Sequence, residues 1–260
     1  MQTIVLRVDG TNCDVELVEA FRRAGTQTER IHINELIRGK RSLEEYHILA
    51  IPGGFSYGDD VAAGKLLAND LKHRLRKDVE HFIDQSKPIL GICNGFQALV
   101  KAGFLPALGG RREQQATLAT NDKALFIDRW IYLKHENRGT CIFTKSLDNQ
   151  LYVPVNHGEG KFVKEESGIQ RLEENDQIVF RYVNPEGELA GYPWNPNGSV
   201  SNIAGICDEH GAILGLMPHP EKFIHGYQHP FWTRHPNPLE LRGWLPLFKN
   251  AVEYARRRFL

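Results

Sequence analysis

The sequence predicts an α/β fold: a doubly wound, flavodoxin-like, mostly parallel sheet with helices on both faces and an antiparallel extension. Three observations predict it. In the first half, short apolar and β-branched runs alternate with amphipathic stretches of helical period. Those runs are apolar on nearly every residue, as strands covered on both faces are. In the second half the runs shorten and alternate in period two, the pattern of antiparallel strands. With 260 residues and 41% hydrophobic content the chain can bury a full core. No Ser-, Gly- or Pro-rich linker and no internal repeat divides it, so residues 1–260 read as a single domain.

The elements follow in order. "TIVLRV" (Thr3 to Val8) is a strand that stops at Asp9-Gly10. Asn12 or Thr11 is placed to cap a helix over "CDVELVEAFRRAG", which Gly25 ends. "TERIHI" is a second strand, and "HILAIPGG" a third, closed by Pro52 and the glycine pair. The amphipathic stretch from Gly64 to Ile83 predicts a long helix, "PILGIC" a fourth strand and "NGFQALVKAG" the helix after it. From Ala116 to Met217, "RWIYLKHE", "TCIFTK" and "IVFRYV" predict strands that extend the same sheet. "IAGICDEHGAILGLM" predicts a hairpin turning at its Asp-Glu-His-Gly centre. "LRGWLPLFKNAVEYARRRFL" closes the chain with an amphipathic helix.

Composition excludes several function classes. Lys+Arg and Asp+Glu both number 32, and apart from the terminal "RRR" no block of like charge stands out. Neither nucleic acid nor an anionic membrane is therefore expected as the main partner. The N-terminus has no basic segment leading into a long apolar run, and no stretch approaches the length of a membrane span. A cytoplasmic protein is expected. Cys13, Cys93, Cys141 and Cys207 are scattered without C-x-x-C spacing, which predicts reduced thiols and neither a disulfide framework nor a zinc cluster.

In open parallel sheets, ligands sit at the carboxyl ends of the strands. "PGGFSYGDD" and Cys93 both fall at such ends. G-x-C-x-G between strand and helix is the thiol form of a nucleophile elbow, and Gly91 and Gly95 suit a turn too tight for side chains on either flank. At a helix N-terminus, unpaired N–H groups and the helix dipole favour a thiolate. The backbone N–H of Asn94 is an oxyanion donor, and the loop Gly53, Gly54 and Phe55 can supply a second. On spacing alone, nucleophile and small buried hydrophobe both stay open. A nucleophilic thiol needs a base with its own orienting group. Among 11 histidines, His219 stands out in "LMPHPE", directly after an apolar strand and two residues from Glu221, with Pro218 and Pro220 restricting the backbone between them.

These segments resemble a known family. "GICNGFQ", "PGGFSYGDD" and "LMPHPE", in that order, resemble the triad, or class I, glutamine amidotransferases, whose glutaminase domains are doubly wound α/β units. "GTNCDVE", "PVNHGEGKF" and "NPNGSVSNIAGICDEHGAILGLMPHPE" narrow the resemblance to the glutaminase subunits of phosphoribosylformylglycinamidine synthase, an enzyme of de novo purine biosynthesis. It runs from Thr3 to Glu221 and again over "LFKNAVEY". The resemblance implies that Cys93 attacks the side-chain amide of L-glutamine, that His219 is the base and acid, and that Glu221 orients it. Gln97, one turn beyond the nucleophile, falls where the family has a glutamine that contacts the substrate. Asn156 and His157 fall in a segment bordering the glutamine pocket.

The resemblance also implies partners: a synthetase subunit that receives the ammonia and uses ATP and Mg²⁺, and a small third subunit. This chain itself has no phosphate-binding G-x-x-x-x-G-K-[ST], and no cofactor or metal is assigned to it. Asp59 and Asp60 read as solvated loop or helix-cap residues, Cys13 as buried packing, and His225, His229 and His235 as members of an irregular loop. That loop lies within the extended segment 222–242, a partner-docking loop or a surface extension. The alternatives are the glutaminase of another amidotransferase pathway, a thiol hydrolase on the same fold, or a binding module that has lost turnover.

Overall fold

A computed structural model describes residues 1–237, 241 and 243–260. Four parallel strands, joined by three crossovers, build one half of the central sheet. β1 (Gln2–Arg7) lies between β2 (Gln27–His32) and β3 (Ile48–Ile51), and β4 (Ile89–Ile92) follows β3. β3 and β4 are buried at every residue, as the unbroken apolar runs require. The chain moves to one side from β1 to β2 and to the other from β3 to β4. Right-handed crossovers therefore place α1 (Asp14–Ala24) on one face and the helices after β3 on the other. α1 packs on the C-terminal helix through Phe21 and Phe248, whose rings meet edge to face at 5.3 Å.

The order of helices departs from the sequence reading at two places. α1 is preceded by Cys13, which makes no side-chain cap, in place of Asn12 or Thr11. Thr11 Oγ1 instead accepts from Val8 N–H, and Asn12 Oδ1 accepts from the Cys13 thiol. After the short α2 (Ile33–Ile37), the predicted helix from Gly64 to Ile83 is divided into α3 (Lys65–Asn69), a π-helical turn at Asp70–Arg74 and α4 (Arg76–Asp84). Leu67, Leu71, Leu75 and Val79 are all buried at four-residue spacing. A straight helix of 3.6 residues per turn would rotate that stripe away from the sheet, and the wider turn returns it.

α5 (Asn94–Ala102) follows β4. The second half then adds β6 (Ile127–His135), β7 (Gln150–His157), β9 (Ile178–Val183), β10 (Ile203–Cys207) and β11 (Ile213–Leu216) to the sheet. The order is β2-β1-β3-β4-β11-β10-β9-β6-β7, parallel as far as β11 and antiparallel beyond it. The predicted hairpin is present, with Gly211 N–H closing on Asp208 O at 3.0 Å.

Two further expectations are corrected. Part of the second half leaves the main sheet, since β5 (Thr117–Thr120) and β8 (Glu159–Val163) pair only with each other. "TCIFTK" is a turn, held by Asn137 Oδ1 on Cys141 N–H and by Asn250 Nδ2 on the carbonyls of Phe143 and Lys145. Between β8 and β9 lies α6 (Glu166–Glu174), and α7 (Leu245–Phe259) ends the chain. Among the described residues no helix is long and apolar enough to cross a membrane.

Candidate active site

Four loops leave the carboxyl ends of β1, β3, β4 and β11 on one edge of the sheet, and β7 ends at the same edge. They enclose a cavity of about 460 Å³ lined by Cys93, His219, Gly54, Phe55, Asn156 and His157, among others. Strand order reverses between β1 and β3, and this is where an open α/β sheet opens a crevice.

Cys93 sits between β4 and α5 with φ 50° and ψ −105°, a left-handed backbone that is costly for a side chain other than glycine. Its N–H donates to Leu216 O at 2.8 Å, and its carbonyl accepts the first helical bond, from Gln97 N–H at 3.0 Å. Two glycines allow the turn. A Cβ on Gly95 would come within 2.0 Å of Ile51 O, and one on Gly91 within 2.5 Å of Leu99 Cδ1. The predicted elbow is therefore enforced by packing of α5 against β3 and by its own return onto β4.

The helix N-terminus does not leave the thiol ionised. Burial pushes the Cys93 thiol up, with Cys13 and Glu221 adding to the shift, while the Asn94 N–H and the Lys222 charge pull the other way. Desolvation of a charge outweighs one backbone donor and a helix dipole. The resting group is thus a thiol that needs a base to take its proton.

His219 and Glu221 are both 1% exposed, and His219 Nδ1 lies 2.6 Å from Glu221 Oε1. A carboxylate only accepts, so Nδ1 carries the proton and Nε2 holds a free lone pair. His219 Nε2 is buried and has no hydrogen-bond partner among the described residues. A Cβ on Gly53 would lie 2.7 Å from His219 Cε1, 3.4 Å from Cys93 Cβ and 3.5 Å from Cys13 Sγ. Glycine at 53 is what lets three side chains from three strand ends meet. The loop is fixed in turn by Gly53 O, which accepts from Cys13 N–H at 3.3 Å.

Asn94 does more than offer a backbone donor. Its Oδ1 accepts from Ser56 N–H at 3.1 Å, and its Nδ2 donates to Asp59 Oδ1 and Gln97 Oε1, both at 3.0 Å. Asp59 also accepts from Gly64 N–H, at the start of α3, and lines the cavity; it is a strut of the glycine loop as well as a cap. Gln97 is 3% exposed, and its amide donates to Glu159 O. His157 is held between Asn121 Oδ1 at 3.2 Å and Asn197 Nδ2 at 3.5 Å, and burial lowers its pKa to about 3. It is a neutral wall of the cavity. Asn156 contributes its carbonyl, 3.8 Å from Cys93 Sγ.

Cys13 and Lys222 are among the cavity residues that escaped the sequence reading. Cys13, read as packing, is buried but lines the cavity beside His219 and Glu221. Lys222 lines it too, although its place directly after Glu221 was a signal in plain view. The three histidines of the loop form no cluster. His225 stacks on Tyr227, His229 packs among Trp130, Tyr152 and Phe223, and His235 bonds to Asn237 O. Within the segment 222–242, residues 238–240 and 242 lie outside the described residues.

Comparison with known proteins identifies the family. A family model described as a CobB/CobQ-like glutamine amidotransferase domain matches residues 1–255. The chain is 45% identical over 259 residues to the phosphoribosylformylglycinamidine synthase subunit PurQ of Dehalococcoides mccartyi, covering 99% of this chain and 98% of that protein. It is 47% identical over 243 residues to the subunit of the same name from Archaeoglobus fulgidus, covering 88% and 89%. Among solved structures it superposes on a chain of PurLQS from Thermotoga maritima with a TM-score of 0.73 at 26% identity, over 97% of this chain and 98% of that one.

Proposed function

The chain belongs to the CobB/CobQ-like glutamine amidotransferase family, among the PurQ glutaminase subunits of phosphoribosylformylglycinamidine synthase, and on that premise we propose that Cys93, His219 and Glu221 are its catalytic triad. Its activity is that of a glutaminase serving purine biosynthesis. The observation that carries the triad is the left-handed Cys93 sharing one cavity with His219, whose Nδ1 is committed to Glu221 while Nε2 stays open.

His219 Nε2 takes the Cys93 proton as the sulfur attacks the side-chain amide carbon of L-glutamine. The Asn94 N–H and the loop Gly53 to Phe55, whose Gly54 and Phe55 line the cavity, serve the developing oxyanion. His219 then returns its proton to the leaving nitrogen, which departs as ammonia. Water hydrolyses the γ-glutamyl thioester to glutamate. Gln97 and Asn94 act by holding the floor of the cavity, and Asn156 and His157 by forming its far wall.

Ammonia is protonated in water, so a covered route to an acceptor site is required. Phe55 and Phe126 stand at the cavity with 43% and 53% of their surface exposed, stacked at 6.2 Å. Exposed aromatic rings at a reactive opening mark a surface that a partner covers. The partner is a synthetase subunit that spends ATP with Mg²⁺, joined by a small third subunit; this chain, acting as one domain over 1–260, brings no cofactor of its own. A cytoplasmic setting suits its four free cysteines.

The test is glutamate release from glutamine, first by the chain alone and then with the synthetase, phosphoribosylformylglycinamide and ATP. Weak activity alone, strong stimulation in the mixture and its loss in Cys93→Ala are expected. Full activity in Cys93→Ala would overturn the triad, and stimulation only by a different synthetase would overturn the partner.

A further inference from the structure

The triad leaves one thiol of its own cavity unused. Cys13 closes the loop after β1 and starts α1, and it is 5% exposed. Its Sγ, a ring nitrogen of His219 and a carboxylate oxygen of Glu221 all lie within 4.8 Å of one another. All three residues are buried, and two atoms of the group, His219 Nε2 and Glu221 Oε2, have no hydrogen-bond partner among the described residues. Buried polar atoms are normally satisfied, so two open acceptors beside a thiol require an explanation. The Nε2 lone pair that serves the base also completes, with the thiol and the carboxylate, a donor set.

We propose that Cys13, His219 and Glu221 form a binding site for a thiophilic divalent cation, Zn²⁺ above all, and that occupying it switches the glutaminase off. Thiolate, imidazole and carboxylate are the ligands of zinc, whereas Mg²⁺ and Ca²⁺ take shells of oxygen. Zinc bonds of about 2.0 to 2.3 Å in a tetrahedron set neighbouring donors roughly 3.3 to 3.6 Å apart. Donors that already lie within 4.8 Å of one another reach that spacing by shifts of roughly an ångström or less, within reach of a turn of the Cys13 and Glu221 side chains. Binding releases the Cys13 thiol proton to solvent and leaves a fourth position open to the cavity for water. The cation claims the imidazole that must take the Cys93 proton, or the carboxylate that orients it.

The charges around the thiol oppose one another. Glu221 and Glu16 favour a cation there, and the Lys222 ammonium opposes it. Lys222 is half-buried and lines the cavity, so its ammonium can move toward solvent as the metal enters. It makes the site weaker than its ligands alone would, which suits a reversible brake.

Cobalt(II) reports the ligands directly. One equivalent added to the full chain is expected to give a sulfur-to-metal charge-transfer band in the near ultraviolet. The band should persist in Cys93→Ala, vanish in both Cys13→Ser and His219→Ala, and bleach when Zn²⁺ displaces the cobalt. Half-inhibition of glutamate release should need about tenfold more zinc, or beyond, in Cys13→Ser, since losing even an outer partner of a metal site costs that much. Lys222→Gln should shift the zinc requirement the other way. A band of full intensity in Cys13→Ser, its disappearance in Cys93→Ala, or no band in the folded wild-type chain would each overturn the site. The absorbance needs no turnover, so its failure leaves the triad standing, and failure of the triad assay leaves the absorbance to be read.

Discussion

The two halves of the central sheet contribute to the cavity in different currencies. The parallel half delivers side chains: Cys93 after β4, His219 and Glu221 after β11, and the glycine loop after β3, each on a connection that has left its strand. The antiparallel half delivers fixed acceptors. β7 presents Asn156 O to the thiol and Pro154 O to His219 N–H at 2.9 Å, and behind them a closed polar network holds His157. Reactive groups sit where the backbone is free to bend, and the wall that positions them sits where the ladder forbids bending.

That division can be broken or sharpened by substitution. The largest effect is expected in the parallel half. Glu221→Gln should lower kcat for glutamate release by about 10⁴-fold, as loss of the orienting carboxylate does in other triads, with the melting curve little changed. A loss below tenfold would remove Glu221 from the triad. Next comes Gly95→Ala, whose methyl carbon would meet Ile51 O at 2.0 Å and Ile51 C at 2.8 Å. Forcing α5 off β3 should cost about 3 kcal/mol or more in urea unfolding. An unchanged midpoint would show that the elbow does not depend on that contact.

In the antiparallel half the same scale of insult should reach stability more than chemistry. Asn197 is fully buried, and its amide donates to Gly160 O at 2.8 Å and Tyr182 Oη at 3.2 Å while its oxygen accepts from Ser199. Asn197→Ala should cost about 1–3 kcal/mol in unfolding. A kcat loss comparable to that of Glu221→Gln would collapse the distinction between the halves.

The pH dependence of stability isolates the wall. With a folded pKa of about 3 against an ordinary value of 6.5, His157 is neutral in the fold and protonated in the unfolded chain between those values. The unfolded state then binds more protons, so stability rises with pH across that window and is lost as pH falls through it. His157→Gln should flatten the profile between pH 6.5 and 4, and the His157 ring should show no titration by NMR from pH 8 to 5. The smallest effect belongs to Lys161→Ala, which removes a surface ion pair with Asp122 and should shift stability by less than ~0.5 kcal/mol.

The same contrast explains what was legible in the sequence. β3, β4 and the hairpin strands announce themselves because burial on both faces leaves no room for a polar residue. Cys93, His219 and Glu221, the proposed triad, stand out in the sequence because each follows such a run. The turn at Thr140 to Lys145 mimics a strand because Cys141 and Phe143 are buried, yet its shape depends on Asn250, more than a hundred residues away. No local period carries that. The break at Asp70–Arg74 was visible only as a four-residue stripe mistaken for a helical one. Cys13 is buried, as read, but its place at the cavity is made by Gly53 and His219, from two other loops.

One last consequence concerns β7, the outer strand of the sheet beyond β6. An outer strand offers unpaired backbone groups to any passing chain. Here Pro154 has no N–H to offer, its carbonyl is taken by His219 N–H, and Tyr152 O is taken by the Trp244 indole N–H at 3.0 Å. The loop that carries the imidazole therefore also guards the sheet against self-association. Warming that frees this loop should unmask a sticky edge at the moment it scatters the triad, so loss of turnover and onset of turbidity should share a single temperature.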